Sequence, residues 1–231
     1  LTGSGTYDGS SGTTSVGGNF TVAAFTHNSG EVLFNGPSSI NRPAGSYTFY
    51  DLTIDAGGTV TPEDQLTVNR HFVINAGGTY TENGQTLRLN SVASNLTDSN
   101  GGTQDLGAVQ VQDTTVTMTT AILMSSVDIS SQLTAGVNNL TVSGVLTGSG
   151  TYDGSSGTTS VGGDFTVATF TANGGLVDFT GGGTVNHPTG NYTFFDFTVS
   201  GGTRTLSEAI SVQGDVAISG GTLDASGQQI T

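Results

Sequence analysis

The side chains that could carry chemistry in this chain are carboxylates and three histidines, because the sequence contains neither lysine nor cysteine. Thiol catalysis, cysteine metal sites, Schiff-base chemistry and Lys–Asn isopeptide cross-links are therefore excluded. Hydrolysis or elimination on a polysaccharide would need paired carboxylates, or carboxylates with Arg, held a fixed distance apart. The 18 carboxylates are instead dispersed, for example at Asp51, Asp55, Glu63, Asp64, Asp105, Asp113, Asp128, Asp196 and Asp215. Asp51 and Asp196 occupy equivalent places in TFYD and TFFD, and their parity relative to Leu52 and Phe197 predicts that both face solvent. His27, His71 and His187 share no repeat position, since His27 aligns with Ala172 and His187 with Arg42, so they form no zinc set. The reading is of a protein that is not an enzyme, with no catalytic, cofactor-binding or metal-ligating residue assigned.

Calcium is the metal such an acidic chain would favour. Neither GGxGxDx repeats nor a DxDxDG loop is present, and Asp8-Gly9-Ser10 and Asp153-Gly154-Ser155 read as turns in which Asp supports its own backbone. The Gly-rich stretch Gly181-Gly182-Gly183-Thr184 lacks the Lys and the helix of a phosphate cradle and also reads as a turn. Thr114 to Thr120 alternates Thr on one strand face, the kind of array that on a flat solenoid could order water or ice, but so dense a run occurs once. Asn19, Asn95, Asn139 and Asn191 head N-x-Thr sequons, about as many as a chain rich in Asn and Thr produces by chance.

The elements that would position these groups emerge from self-similarity. Residues 1–18, LTGSGTYDGSSGTTSVGG, recur unchanged at 146–163, an offset of 145. The likeness continues to the last residues, so the chain divides into a first copy (1–90), an intervening segment (91–145) and a second copy (146–231). Within each copy an apolar–x–apolar triplet recurs, as in Val32/Phe34, Leu52/Ile54 and Phe72/Ile74, then Val177/Phe179, Phe197/Val199 and Val216/Ile218. Such alternation places the outer pair on one strand face. Steps of about 20 residues between triplets match one coil of an all-β, right-handed parallel β-solenoid. Gly57-Gly58, Gly77-Gly78, Asn83-Gly84 and Gly201-Gly202 would supply the corners. Tandem β-sandwich domains are the alternative, with Leu66/Phe72 and Ile210/Val216 as hairpin strands. In the solenoid, Val32, Leu52 and Phe72 should stack in one buried column, and Val177, Phe197 and Val216 in its counterpart.

Composition sets the outer limits. Thirty-seven glycines, 10% charged residues and a net charge of −14 exclude a general affinity for nucleic acid or anionic lipid. No apolar run reaches the roughly 20 residues of a membrane span. The strings SVGGNFTVAAFTHNSGEVLFNG and YTFYDLTIDAGGTVTPEDQLTVNRHFVINAGGT resemble a repeat of large bacterial surface and secreted proteins of the autotransporter and filamentous-haemagglutinin type. That resemblance covers both copies, and only the Leu140-Thr141-Val142 end of the intervening segment. It implies a parallel β-helix, export to the cell surface, and a role in adhesion, matrix or filament, with no catalytic residues to carry over. The expected function is a non-enzymatic structural rod of an extracellular filament, sheath or matrix. A stalk segment of a surface adhesin and an ice-binding or carbohydrate-binding solenoid are the alternatives. The expected partner is the protein itself, stacked head to tail, with surface polysaccharide second.

Overall fold

The computed structural model describes residues 1–43, 45–90, 93–112 and 115–231. Asp113 and Thr114, both named above, lie outside the described residues. Every strand pairing is parallel, and the partner of each strand lies about one coil away in sequence, so the chain is a β-solenoid of about 11 turns. This rejects the sandwich. Leu66 does not form a hairpin with Phe72; it pairs with Tyr47 on one side and Leu87 on the other.

Most coils among the described residues are built of three short strands, so the rod has three faces. The first face carries the pairs Thr2 with Thr21 and Phe20 with Ile40, then Ser38, Val60 and Tyr80 in succession, and higher up Asp105, Leu123 and Thr141. Tyr47, Leu66, Leu87, Val109, Val127, Leu146 and Phe165 run up the second. Val32, Leu52, Phe72 and Leu96 form the third, continued by Val116, Leu133, Tyr152 and Phe170. The expected column of Val32, Leu52 and Phe72 is present and buried. Val177, Phe197 and Val216 also stack, but Val216 is 45% exposed and not buried as expected. It lies in the last turn described, with no coil stacked over it.

The two copies do not sit on the same faces. Phe20 belongs to the first face and its counterpart Phe165 to the second. Tyr47 belongs to the second, and Tyr192 to the third with Ile210 and Ile230. Val177 lies on the first face, whereas its counterpart Val32 lies on the third. The 145-residue offset thus amounts to seven turns and a third, and the same sequence folds identically after rotation about the axis. Local pattern, not the choice of face, fixes each coil.

Both copies also build the same aromatic node. Phe20 meets Phe25, Tyr47 and Phe49 at ring-centre distances of 5.2, 4.9 and 5.5 Å; Phe165 meets Phe170, Tyr192 and Phe194 at 5.2, 4.9 and 5.8 Å. The intervening coils are filled with aliphatic side chains and methionine, such as Val111, Met118, Met124, Ile129 and Leu133. At the corners, Gly57, Gly77, Asn83, Gly84 and Gly202 take the positive φ expected of them. Gly58 is required for a different reason: a Cβ there would lie 2.3 Å from the carbonyl oxygen of Phe34 in the coil before.

Burial raises the phenols of Tyr80, Tyr152 and Tyr192 above their ordinary value, and that of Tyr47 in the same direction. A folded-state value raised in this way gives stability that is complete below about pH 10 and is lost as pH rises further. Arg204 works the other way, since burial lowers it to about 10 and alkali relieves its desolvation. The three most strongly shifted tyrosines, Tyr80, Tyr152 and Tyr192, already outweigh one arginine. The expected net loss above pH 10 is up to about 3 kcal/mol per pH unit, to be read from urea midpoints between pH 8 and 11.5. A flat profile would contradict the burial.

Candidate functional site

The carboxylates are dispersed around the rod, and among the described residues no three His, Asp or Glu side chains converge to hold a metal ion. Nor does a cavity open among those residues. Their positions nevertheless follow a rule that sequence reasoning missed. The residue just before an inward triplet is repeatedly an Asn or Asp whose side-chain oxygen accepts a backbone N–H from the next coil. Asn19 accepts Ser39 N–H at 3.0 Å, Asn139 accepts Thr158 N–H at 2.8 Å, and Asp164 accepts Thr184 N–H at 2.7 Å. Asp51 accepts His71 N–H at 3.0 Å and Asp196 accepts Asp215 N–H at 2.8 Å. His71 fills the same role through Nδ1, which accepts Asn95 N–H at 3.1 Å and fixes the ring's tautomer. These contacts lace successive coils where the chain turns and strand pairing is interrupted.

The rule corrects several expectations. Asp51 does not face solvent; it is buried beneath Arg70 of the following coil, whose Nε donates to it at 2.8 Å and whose Nη2 forms an ion pair with it. Asp196 is only half-buried, because Gly214 stands where Arg70 would. In the supposed Asp turns the serines act instead: Ser10 and Ser155 each accept the N–H two residues on, from Gly12 and Gly157 at 2.7 Å. Asp153 lies within the strand Leu146–Ser155 and accepts the Asn173 amide. Gly183 belongs to the strand Gly183–Val185 and not to a turn. The four sequons share the position before an inward residue (Phe20, Leu96, Leu140 and Tyr192), followed by an outward-facing Thr. The strand pattern itself therefore generates N-x-Thr, and the side chains of Asn19 and Asn139 are already committed between coils.

One surface cluster distinguishes the first copy. His27 stacks on Tyr50 with ring centres 5.5 Å apart, and the Arg70 guanidinium covers the same ring at 4.6 Å. His27 Nδ1 accepts Ser29 N–H, while Nε2 lies 3.5 Å from the Asn69 side-chain nitrogen and Asn69 Oδ1 is buried without a partner. With both faces of Tyr50 occupied and Arg70 engaged by Asp51, the cluster is a closed brace across three coils. Its counterparts are Ala172, Phe195 and Gly214. His187 is separate, stacking obliquely on Tyr192 with Nδ1 accepting Thr189 N–H.

The Thr run is less solitary than its sequence implied. On the third face Thr115 and Thr117 stand opposite Gln132 and Thr134, followed by Thr151 and Asp153, then Thr169 and Thr171. Thr also faces outward on the other two faces, for example at Thr48 and Thr147 on the second and Thr59 and Thr141 on the first.

Asp51→Ala should cost about 1–3 kcal/mol, since it orphans a partly buried N–H and a guanidinium. Arg70→Ala should cost no more than about 1 kcal/mol, because that side chain is 37% exposed and water screens the pair. Denaturant midpoints of the two variants give the comparison. An equal or larger effect of the Arg change would mean that the ion pair, and not the cross-coil N–H bond, holds this corner. Comparison of the chain with protein families, with curated proteins and with solved structures gives no match.

Proposed function

We propose that the chain is a non-enzymatic structural rod of an extracellular filament, sheath or matrix. The observation that carries this reading is the unbroken stack itself: hydrophobic columns on three faces, laced at the corners by Asn, Asp and His. A solenoid coil cannot bury its apolar strip alone, so stiffness and length are properties of the stack. The acidic, lysine-free exterior keeps such rods apart from one another. The repeat's likeness to bacterial surface proteins supports export.

The partner proposed is more of the same fold along the axis, whether in one polypeptide or as another copy. The support is that one coil accepts unlike neighbours: residues 146–163 pair with the aliphatic coil before them and with the aromatic coil after them. A stalk segment of a long adhesin has the same physical requirements and stands as the second reading. Immunogold microscopy of the intact source cells with antibodies to this chain tests the proposal. Label strung along extracellular fibres or a sheath is expected. Label confined to the cell interior would overturn it.

A further inference from the structure

Arg204 is the largest fully buried side chain, and nothing in a structural rod obviously needs it. It sits at an inward core position of the strand Thr203–Leu206, with its guanidinium 4.3 Å from the Phe179 ring centre. Nη1 donates to the carbonyl of Gly163 at 2.6 Å and Nη2 to that of Gly181 at 2.9 Å, while Nε has no acceptor. A buried arginine with one donor unpaired is a poor choice for stability, because desolvation offsets what the remaining bonds contribute. The duplicated sequence supplies the control. Both copies reach this position just after Gly-Gly-Thr, and the first copy has Val60 there, fully buried.

Two further differences accompany that change. Val60 lies opposite Ser38, whereas Arg204 lies opposite Gly183. A Cβ on Gly183 would come within 2.9 Å of Arg204 Nη1 and 2.8 Å of Asp164 Oδ1, and its φ of +151° disfavours a side chain in any case. Asp164 stands where the first copy has Asn19; it makes the same bond to the next coil and adds a negative charge beside the guanidinium. Asn19, Ser38 and Val60 have thus become Asp164, Gly183 and Arg204 together.

We infer that Arg204, Gly183 and Asp164 form a register lock that stops the two near-identical copies from exchanging strands during folding. The strand Thr203–Leu206 has two docking rungs of nearly equal shape, Gly183–Val185 and Pro37–Ile40. On the second, the guanidinium meets the side chain of Ser38. In the reverse exchange, Val60 over Gly183 takes the arginine donor from the Gly163 carbonyl and leaves the Asp164 charge without its guanidinium. Each error adds a clashing or unpaired group that the native pairing does not have.

The test uses the full chain, which has no cysteine of its own. Thr184 and Thr205 are paired outward-facing residues on adjacent coils, so cysteines placed there should form a disulfide only in the native register. In the exchanged register residue 205 would lie opposite Ser39 instead. With the lock intact, refolding at high concentration should give cross-linked monomer. The triple variant D164N/G183S/R204V copies the first rung, and should lose cross-linked monomer in favour of uncrosslinked and strand-swapped oligomeric species. N19D/S38G/V60R, which gives both rungs the lock, should do the same and serves if the first variant does not fold. Gly183→Ser alone should lower the folding equilibrium constant by on the order of a hundredfold, with much of that recovered on adding Arg204→Val. Undiminished cross-linking in whichever triple variant folds would overturn the lock.

Discussion

Phe165→Ala is expected to cost about 3–5 kcal/mol, the range for deleting a buried aromatic side chain without collapse of the site. Phe165 is wholly buried, and its ring is met by those of Phe170, Phe179, Tyr192 and Phe194 within 6.0 Å. The neighbours are fixed by three strands on two adjacent coils, so they cannot close over the space. Whole domains are commonly stable by only about 5–15 kcal/mol, and one such loss should be visible as a large fall in denaturant midpoint. Phe20→Ala should behave alike, because the first copy repeats the node on another face. In a stack with neighbour-only contacts the damage should also be local, with amides of the affected copy exchanging early and those of the other copy protected. A substitution that unfolds both copies together, or neither, would contradict the account.

A deletion series should show a still larger contrast. Removing residues 52–71 takes out one complete coil and joins Asp51 to Phe72. Val32 and Phe34 would then lie beneath Phe72 and Ile74, as they now lie beneath Leu52 and Ile54. Asp51 would take over the position that His71 holds before Phe72. This variant should fold cooperatively and lose only a modest share of stability, since one turn of about 11 is missing. Removing residues 52–61 takes out half a coil instead. The next apolar strand, Leu66–Val68, then follows Tyr47–Phe49 with two intervening strands gone, so it arrives two faces too early and every later side chain is displaced around the axis. That loss should exceed the stability of the fold and abolish the cooperative transition, as followed by circular dichroism in urea. Equal tolerance of the two deletions would refute stacking in whole coils.

The coil was legible because burial on one face and exposure on the other leaves alternation in the sequence, and because Gly marks the corners. Leu52 between Val32 and Phe72 is the clearest instance. The rotation between copies was not legible. All three faces ask for the same apolar–x–apolar pattern, so nothing in Phe20 or Phe165 says which one it will join. Coil lengths in the middle were also hidden: Val73 pairs with Thr97 and Thr117 with Thr134, separations of 24 and 17 residues where the outer copies suggested 19–21. Asp51 was misread because parity describes one strand, while its burial comes from Arg70 one coil later. Arg204 was passed over for a related reason: an arginine reads as solvated, yet its position after Gly-Gly-Thr matches the inward Val60. The Asn and Asp before each inward residue were visible, but their role appears only when the next coil's N–H is set above them.

The central claim, that the chain is a parallel stack with a 20-residue coil, is tested most directly by nuclear Overhauser contacts in labelled protein. The account predicts contacts from Leu52 to both Val32 and Phe72, and from Leu66 to both Tyr47 and Leu87. Antiparallel contacts between Leu66 and Phe72, with none from Leu52 to its neighbours 20 residues away, would contradict it.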